Sequence, residues 1–115
     1  MKTQLKISIA ILLLVALSSF QIIKTQIAIT VRNEVGNTEA GVKIMLFETE
    51  DDYVKETNVV AEGETDDKGV VKFKELKATS YFVIARKGDK DNSGGGEKIG
   101  TLQANRINKV TIVIQ

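Results

Sequence analysis

An all-β sandwich of about seven short strands is the fold this sequence predicts, and three features point to it. Short β-branched runs alternate apolar with polar residues, glycine- and Asx-bearing turns separate them at regular spacing, and no helical period persists beyond two turns. The first run, Ile27 to Arg32, places Ile27, Ile29 and Val31 on one face, and Asn33 to Asn37 with Gly36 reads as a turn. The second, Val42 to Phe47, turns Val42, Ile44 and Leu46 inward. A polar excursion from Glu48 to Asn58 follows, with one helical turn expected around Asp51 to Lys55, and Val59 to Thr65 resumes as strand.

Asp66-Asp67-Lys68-Gly69 has the chemistry of a tight turn, so Val70 to Phe73 is expected to pair back on Val59 to Thr65 as a hairpin, with Val71 and Phe73 inward. Leu76 is expected to plug the end of the sandwich. Tyr81 to Arg86 is apolar on both faces, as a central strand would be. Lys87 to Gly96 reads as a solvated loop kept mobile by Gly94-Gly95-Gly96, and Ile99 to Leu102 as a short strand. Ile107 to Ile114 closes the domain with Val110, Ile112 and Ile114 inward.

The 115 residues leave room for one domain, and the chain has no Cys, so stability must come from the core and the sheet ladders. Residues 1–24 read as a signal peptide: Lys2 and Lys6, an apolar run from Ile7 to Leu17, then small residues with Ala16 and Ser18 as the cleavage pair. The alternative is an uncleaved anchor, because the apolar stretch through Ile23 reaches the lower limit of a membrane span. Residues 27–115 form the domain. Without Lys2, Lys6 and Lys24 the 16 basic residues fall to 13 against 15 acidic ones, a net charge of −2. That balance lacks the concentrated basic face a nucleic-acid binder needs. An exported, cysteine-free chain fits a bacterial envelope, whether periplasmic, surface-bound or secreted.

Thr65-Asp66-Asp67-Lys68-Gly69-Val70-Val71-Lys72-Phe73-Lys74-Glu75-Leu76, followed by Tyr81-Phe82-Val83-Ile84-Ala85, resembles the signature of carboxypeptidase-regulatory-like domains. These group with transthyretin-like (prealbumin-like) and Cna-B-type sandwiches, and Ala40-Gly41-Val42-Lys43-Ile44 is similar to their second strand. The resemblance spans Ile27 to Gln115 and implies a seven-stranded Greek-key β-sandwich. Ala78-Thr79-Ser80 departs from the Pro-Gly common at that turn. Hydroxyisourate hydrolysis, known in the wider group, needs His residues, and this chain has none. The Cna-B likeness also raises an intramolecular isopeptide bond between a first-strand Lys and a last-strand Asn or Asp. Here the first strand offers only Arg32, and Asn108 lacks an obvious partner.

With neither His nor Cys, and only Ser80 and Ser93 as serines in the mature region, no serine or cysteine catalytic machinery can be assembled and no catalytic residue is nominated. Asp89-Lys90-Asp91-Asn92-Ser93-Gly94 matches the opening of a calcium loop. Asp89, Asp91 and Ser93 are weak donor candidates, with Glu97 at position nine, but Gly100 stands where the closing Glu belongs. Glu48 to Asp67 holds nine acids against Lys55, whereas Lys68 to Lys109 holds ten bases against four acids. That asymmetry fits either head-to-tail docking or protection of sheet edges by charge.

Met45 and Phe47 lie opposite the core set of their strand, as do Phe82 and Ile84, and together they would form an apolar patch. Either Tyr53 and Val54 of the polar excursion cover it, or a partner does. The function expected is a non-catalytic binding or structural module, with a calcium-stabilised adhesion domain or an accessory subunit of an envelope enzyme as alternatives. No cofactor is implied. A partner would be a protein or glycan and not nucleic acid, a membrane would be involved only if the leader stays uncut, and the chain would be a monomer or weak oligomer.

Overall fold

The computed structural model describes residues 24–115. The signal-peptide or anchor reading of residues 1–24 lies outside the described residues except for Lys24. Among the described residues, no helix is long and apolar enough to cross a membrane.

Two sheets pack face to face as a β-sandwich. One has the order β4-β1-β8, formed by β1 (Gln26–Asn33), β4 (Val70–Phe73) and β8 (Ile107–Ile114). The other has the order β3-β2-β5-β6, from β2 (Lys43–Phe47), β3 (Ala61–Glu64), β5 (Tyr81–Lys87) and β6 (Lys90–Asp91), with β7 (Lys98–Ile99) also paired to β5. The period-two alternation sets the core. Ile27, Ile29 and Val31 from β1 meet Ile44 and Leu46 from β2 and Ile112 and Ile114 from β8, all essentially inaccessible to solvent. Val71 and Phe73 are buried, and Leu76 and Val110 are half-buried against the same cluster.

β1 is the centre of its sheet. It runs parallel to β8, with Ile29 beside Val110, and antiparallel to β4, with Ile29 beside Val71. β5 is buried on both faces along Tyr81 to Ala85, except for the half-buried Phe82, and pairs with β2 so that Ile44 faces Ala85. The described chain has eight strands, one more than expected, because the segment read as a loop after Lys87 contributes the short β6.

The expected hairpin across Asp66 to Gly69 is corrected. The turn is tight, with the Asp66 carboxylate accepting from the amides of Lys68 and Val70 at 2.9 and 3.0 Å. Its two arms nevertheless belong to different sheets: β3 pairs with β2 and β4 pairs with β1. The cause lies at the ends of the turn. Thr65 is captured by β2, its N–H donating to the Val42 carbonyl at 3.0 Å while its Oγ1 accepts from Val42 N–H at 2.9 Å. Gly69 is captured by β1, its carbonyl accepting from Val31 N–H at 2.8 Å. Gly69 sits at φ +77, where a Cβ would be both strained and 2.8 Å from Thr38 Cβ, so glycine is required there.

Candidate functional site

The outer face of the β3-β2-β5 sheet brings the four patch residues together. Met45 lies beside Ile84 and Phe47 beside Phe82 in the β2–β5 register. The polar excursion folds over them as α1 (Glu50–Lys55). Its start is fixed by Thr49, whose side chain accepts from Asp52 N–H, and by three acids in the first turn. Its end is fixed by Lys55 and by Glu56 in the left-handed region. The Asn58 amide, donating at 3.0 Å, is the main influence holding the Asp52 carboxyl below its usual range.

Tyr53 is the covering residue. Its ring stands edge-on to Phe47 at 6.1 Å and tilts over Phe82 at 5.5 Å. Phe47, Met45 and Ile84 are buried, and Phe82 is half-buried with the Lys98 ammonium 5.4 Å from its ring centroid. Burial, followed by the nearby Glu97 and Asp91 carboxylates, raises the Tyr53 hydroxyl pKa and keeps it neutral. Val54, expected beside Tyr53 on the patch, is instead 69% exposed. Neighbours on a helix point about 100° apart, so one helical turn cannot aim both at the sheet. The Arg86 guanidinium latches the helix end by donating to both oxygens of Glu56 at 2.6 and 2.9 Å, which lowers the Glu56 pKa. Phe82→Ser is expected to lower stability by roughly 1–3 kcal/mol and leave the association state unchanged, as read by chemical denaturation and light scattering.

The 88–97 loop is fastened, contrary to the expectation of a mobile segment. Asn92, 3% exposed, is the residue that reading missed. Its Nδ2 donates to the carbonyls of Val83 and Gly96, each at 2.9 Å, and its Oδ1 accepts from Ala85 N–H at 3.0 Å. The same loop reaches the other sheet, where Gly95 carbonyl accepts from Val113 N–H and Asp91 exchanges backbone bonds with Gln115. A Cβ on Gly95 would collide with the Val113 carbonyl oxygen. The loop therefore staples β5 to β8 across the end of the sandwich. Of the weak metal candidates, Asp91 accepts from Ser93 N–H and Glu97 from Gly94 N–H, while Asp89 is exposed. Among the described residues no group of three or more His, Cys, Asp or Glu is placed to hold a metal ion. Between helix and loop lies an open cleft of about 190 Å³ lined by Tyr53, Glu56, Arg86, Asp91 and Ser93.

Asn108 is committed to the backbone as well. Its Nδ2 donates to the carbonyls of Gln26 and Gln103, and its Oδ1 accepts from Gln103 N–H at 2.8 Å. These bonds pin the 103–106 loop to the start of β1 and β8.

Every carboxyl whose pKa is displaced is displaced downward. Glu39 is held down first by the Lys87 ammonium and then by the Asn33 amide, Glu56 by Arg86, and Asp66 and Asp91 by backbone amides. A carboxyl with a lowered native pKa stabilises the fold above its ordinary value and loses that contribution as protonation sets in. The melting temperature is expected to hold through neutral pH and fall progressively below about pH 4.5, the ordinary Glu value. A rise in melting temperature on acidification would contradict these pairings.

No protein family matches the chain, and no curated protein matches it. Solved structures do. The major pilin subunit of Bacillus cereus superposes with a TM-score of 0.54 at 18% identity over 80% of this chain and 30% of the pilin. The chain shares the β-sandwich fold of pilin backbone subunits. The pilus 2b backbone protein of group B streptococcus gives a TM-score of 0.52 at 16% identity over 79% of this chain and 40% of that protein. The chain thus spans well under half the length of either pilin, and the likeness is one of fold.

Proposed function

We propose that this chain is a non-catalytic structural module, exported and held at the bacterial cell surface. The observation that carries the proposal is the sandwich fold shared with a major pilin subunit and a pilus backbone protein. Composition supports it, since a chain without His or Cys lacks the commonest general base and thiol nucleophile. Arrangement supports it too. The polar side chains that could have served chemistry, Asn92, Asn108, Asp66 and Glu56, each hold a loop, a turn or a helix end in place. In this reading residues 1–24 direct export and residues 27–115 are the working domain. N-terminal sequencing of the protein recovered from its host is expected to find a start between Ser19 and Ile27. Intact Met1 to Lys24 in washed membranes would establish an anchor instead, and recovery of the full chain from cytosol would overturn export.

A further inference from the structure

One sheet ends in β4 and β8 and the other in β3 and β6, and of these edges β8 and β3 differ in charge. On β8 the backbone alternation is fixed by two bonds: Gln26 N–H donates to the Arg106 carbonyl on the β1 side, and Val113 N–H donates to Gly95 on the far side. Ile107, Lys109, Thr111, Val113 and Gln115 therefore all turn their N–H and C=O groups away from β1. The stapling loop covers that edge at Val113 and Gln115. Ile107, Lys109 and Thr111 find no backbone partner there among the described residues. Beside this bare stretch runs a groove of about 420 Å³ lined by Ile99, Leu102, Gln103, Arg106, Lys109 and Val110.

On β3, Thr65 gives its N–H to Val42 and takes Gly41 N–H on its carbonyl, so the alternation turns Glu62 and Glu64 outward from β2. Val59 and Val60 lead into that edge 37% and 39% exposed, and Ile107 at the start of β8 is 50% exposed. Three of the five large apolar side chains exposed among the described residues thus lie at these two edges.

We propose that copies of this chain associate head to tail by strand addition, the acidic β3 edge of one copy pairing with the basic lower half of β8 in the next. Like edges are disfavoured, because β8 against β8 would bring Lys109 against its own copy and β3 against β3 would oppose Glu62 and Glu64. The unlike pairing sets Lys109 opposite Glu62 or Glu64, covers Val59, Val60 and Ile107, and supplies the missing backbone bonds. Such a contact is heterologous and leaves one free edge at each end, so it propagates without closing. The proposal goes beyond the surface-module reading and stands on the two edges whatever the location of the chain.

The test uses proline at outward-facing positions, which an edge strand accepts because the lost N–H serves no internal bond. Thr111→Pro closes the β8 edge and Glu62→Pro closes the β3 edge, each checked for an unchanged circular dichroism spectrum. The unsubstituted chain is expected to show a mass, by sedimentation, that rises past dimer as concentration approaches about 1 mM. Each variant alone is expected to be monomeric, and an equimolar mixture to form a dimer that does not grow. Should either proline disturb the fold, Lys109→Glu and the pair Glu62→Lys with Glu64→Lys replace them. Each is expected to be monomeric alone, and because the two reversals complement one another, their equimolar mixture is expected to grow past dimer. A strictly monomeric parent chain, growth that halts at dimer, or self-association that survives Glu62→Pro or its charge-reversed substitute would overturn the proposal.

Discussion

Replacing Asn92 by Ala is expected to destabilise the domain by roughly 3–5 kcal/mol, because the buried amide N–H of Ala85 and the carbonyls of Val83 and Gly96 lose their partner together. Each orphaned buried group costs about 1–3 kcal/mol. The consequence extends beyond β5, since the Asn92 loop carries the Gly95 and Asp91 bonds to β8. The variant is therefore expected to lose amide-exchange protection at Val113 and Gln115 as well as at Ala85. Asn92→Asp keeps the size and one acceptor, but it sets a carboxylate against two carbonyl oxygens and is expected to fare no better. A loss under about 1 kcal/mol with protection at Val113 intact would show that the loop is not the staple.

The second large effect belongs to Phe73→Ala, expected to cost about 3–5 kcal/mol. Phe73 is 8% exposed, pairs with Ile27 in the β1–β4 register, and packs against the face of Gly63. Gly63 leaves the room that the ring fills, and a Cβ there would approach Phe73 Cε1 to 3.3 Å. Removing the ring opens a cavity where the two sheets meet at their β3 and β4 edges, and one small core has little to collapse into it. Urea denaturation measures it. A change below about 1 kcal/mol would place the ring in solvent and shift the β4 register by one residue.

Strand positions were largely legible, because a half-buried strand writes its facing into a period of two: Ile27, Ile29, Val31 and Val42, Ile44, Leu46 needed no more than that. Sheet membership was not legible at the Asp66 to Gly69 turn. Turn chemistry reports that the chain reverses, whereas the partners that divide β3 from β4, Val42 and Val31, are distant in sequence. The patch of Met45, Phe47, Phe82 and Ile84 could be read from outward apolar positions on two strands, and Tyr53 from the length of the excursion. The phase that sends Val54 into solvent depends on where Thr49 caps the helix. Asn92 was hidden in plain composition. Set between Asp91 and Ser93 and before three glycines, it reads as one more turn residue, and only the closeness of β5 makes it the loop's anchor. The fold likeness reached the class of module; the stapling loop and the contrast between the β3 and β8 edges were accessible only from the assembled sheets.

The surface-module reading is tested most directly by labelling lysines on intact host cells with a membrane-impermeant amine reagent. The cationic side chains Lys72, Lys90, Lys98 and Lys109 all stand exposed on the domain, so an unlabelled protein would be a sheltered one and not an unreactive one. Labelling in intact cells to the same extent as after lysis is the expected result. Labelling that appears only after the envelope is opened would contradict placement at the surface and put the module inside the cell boundary.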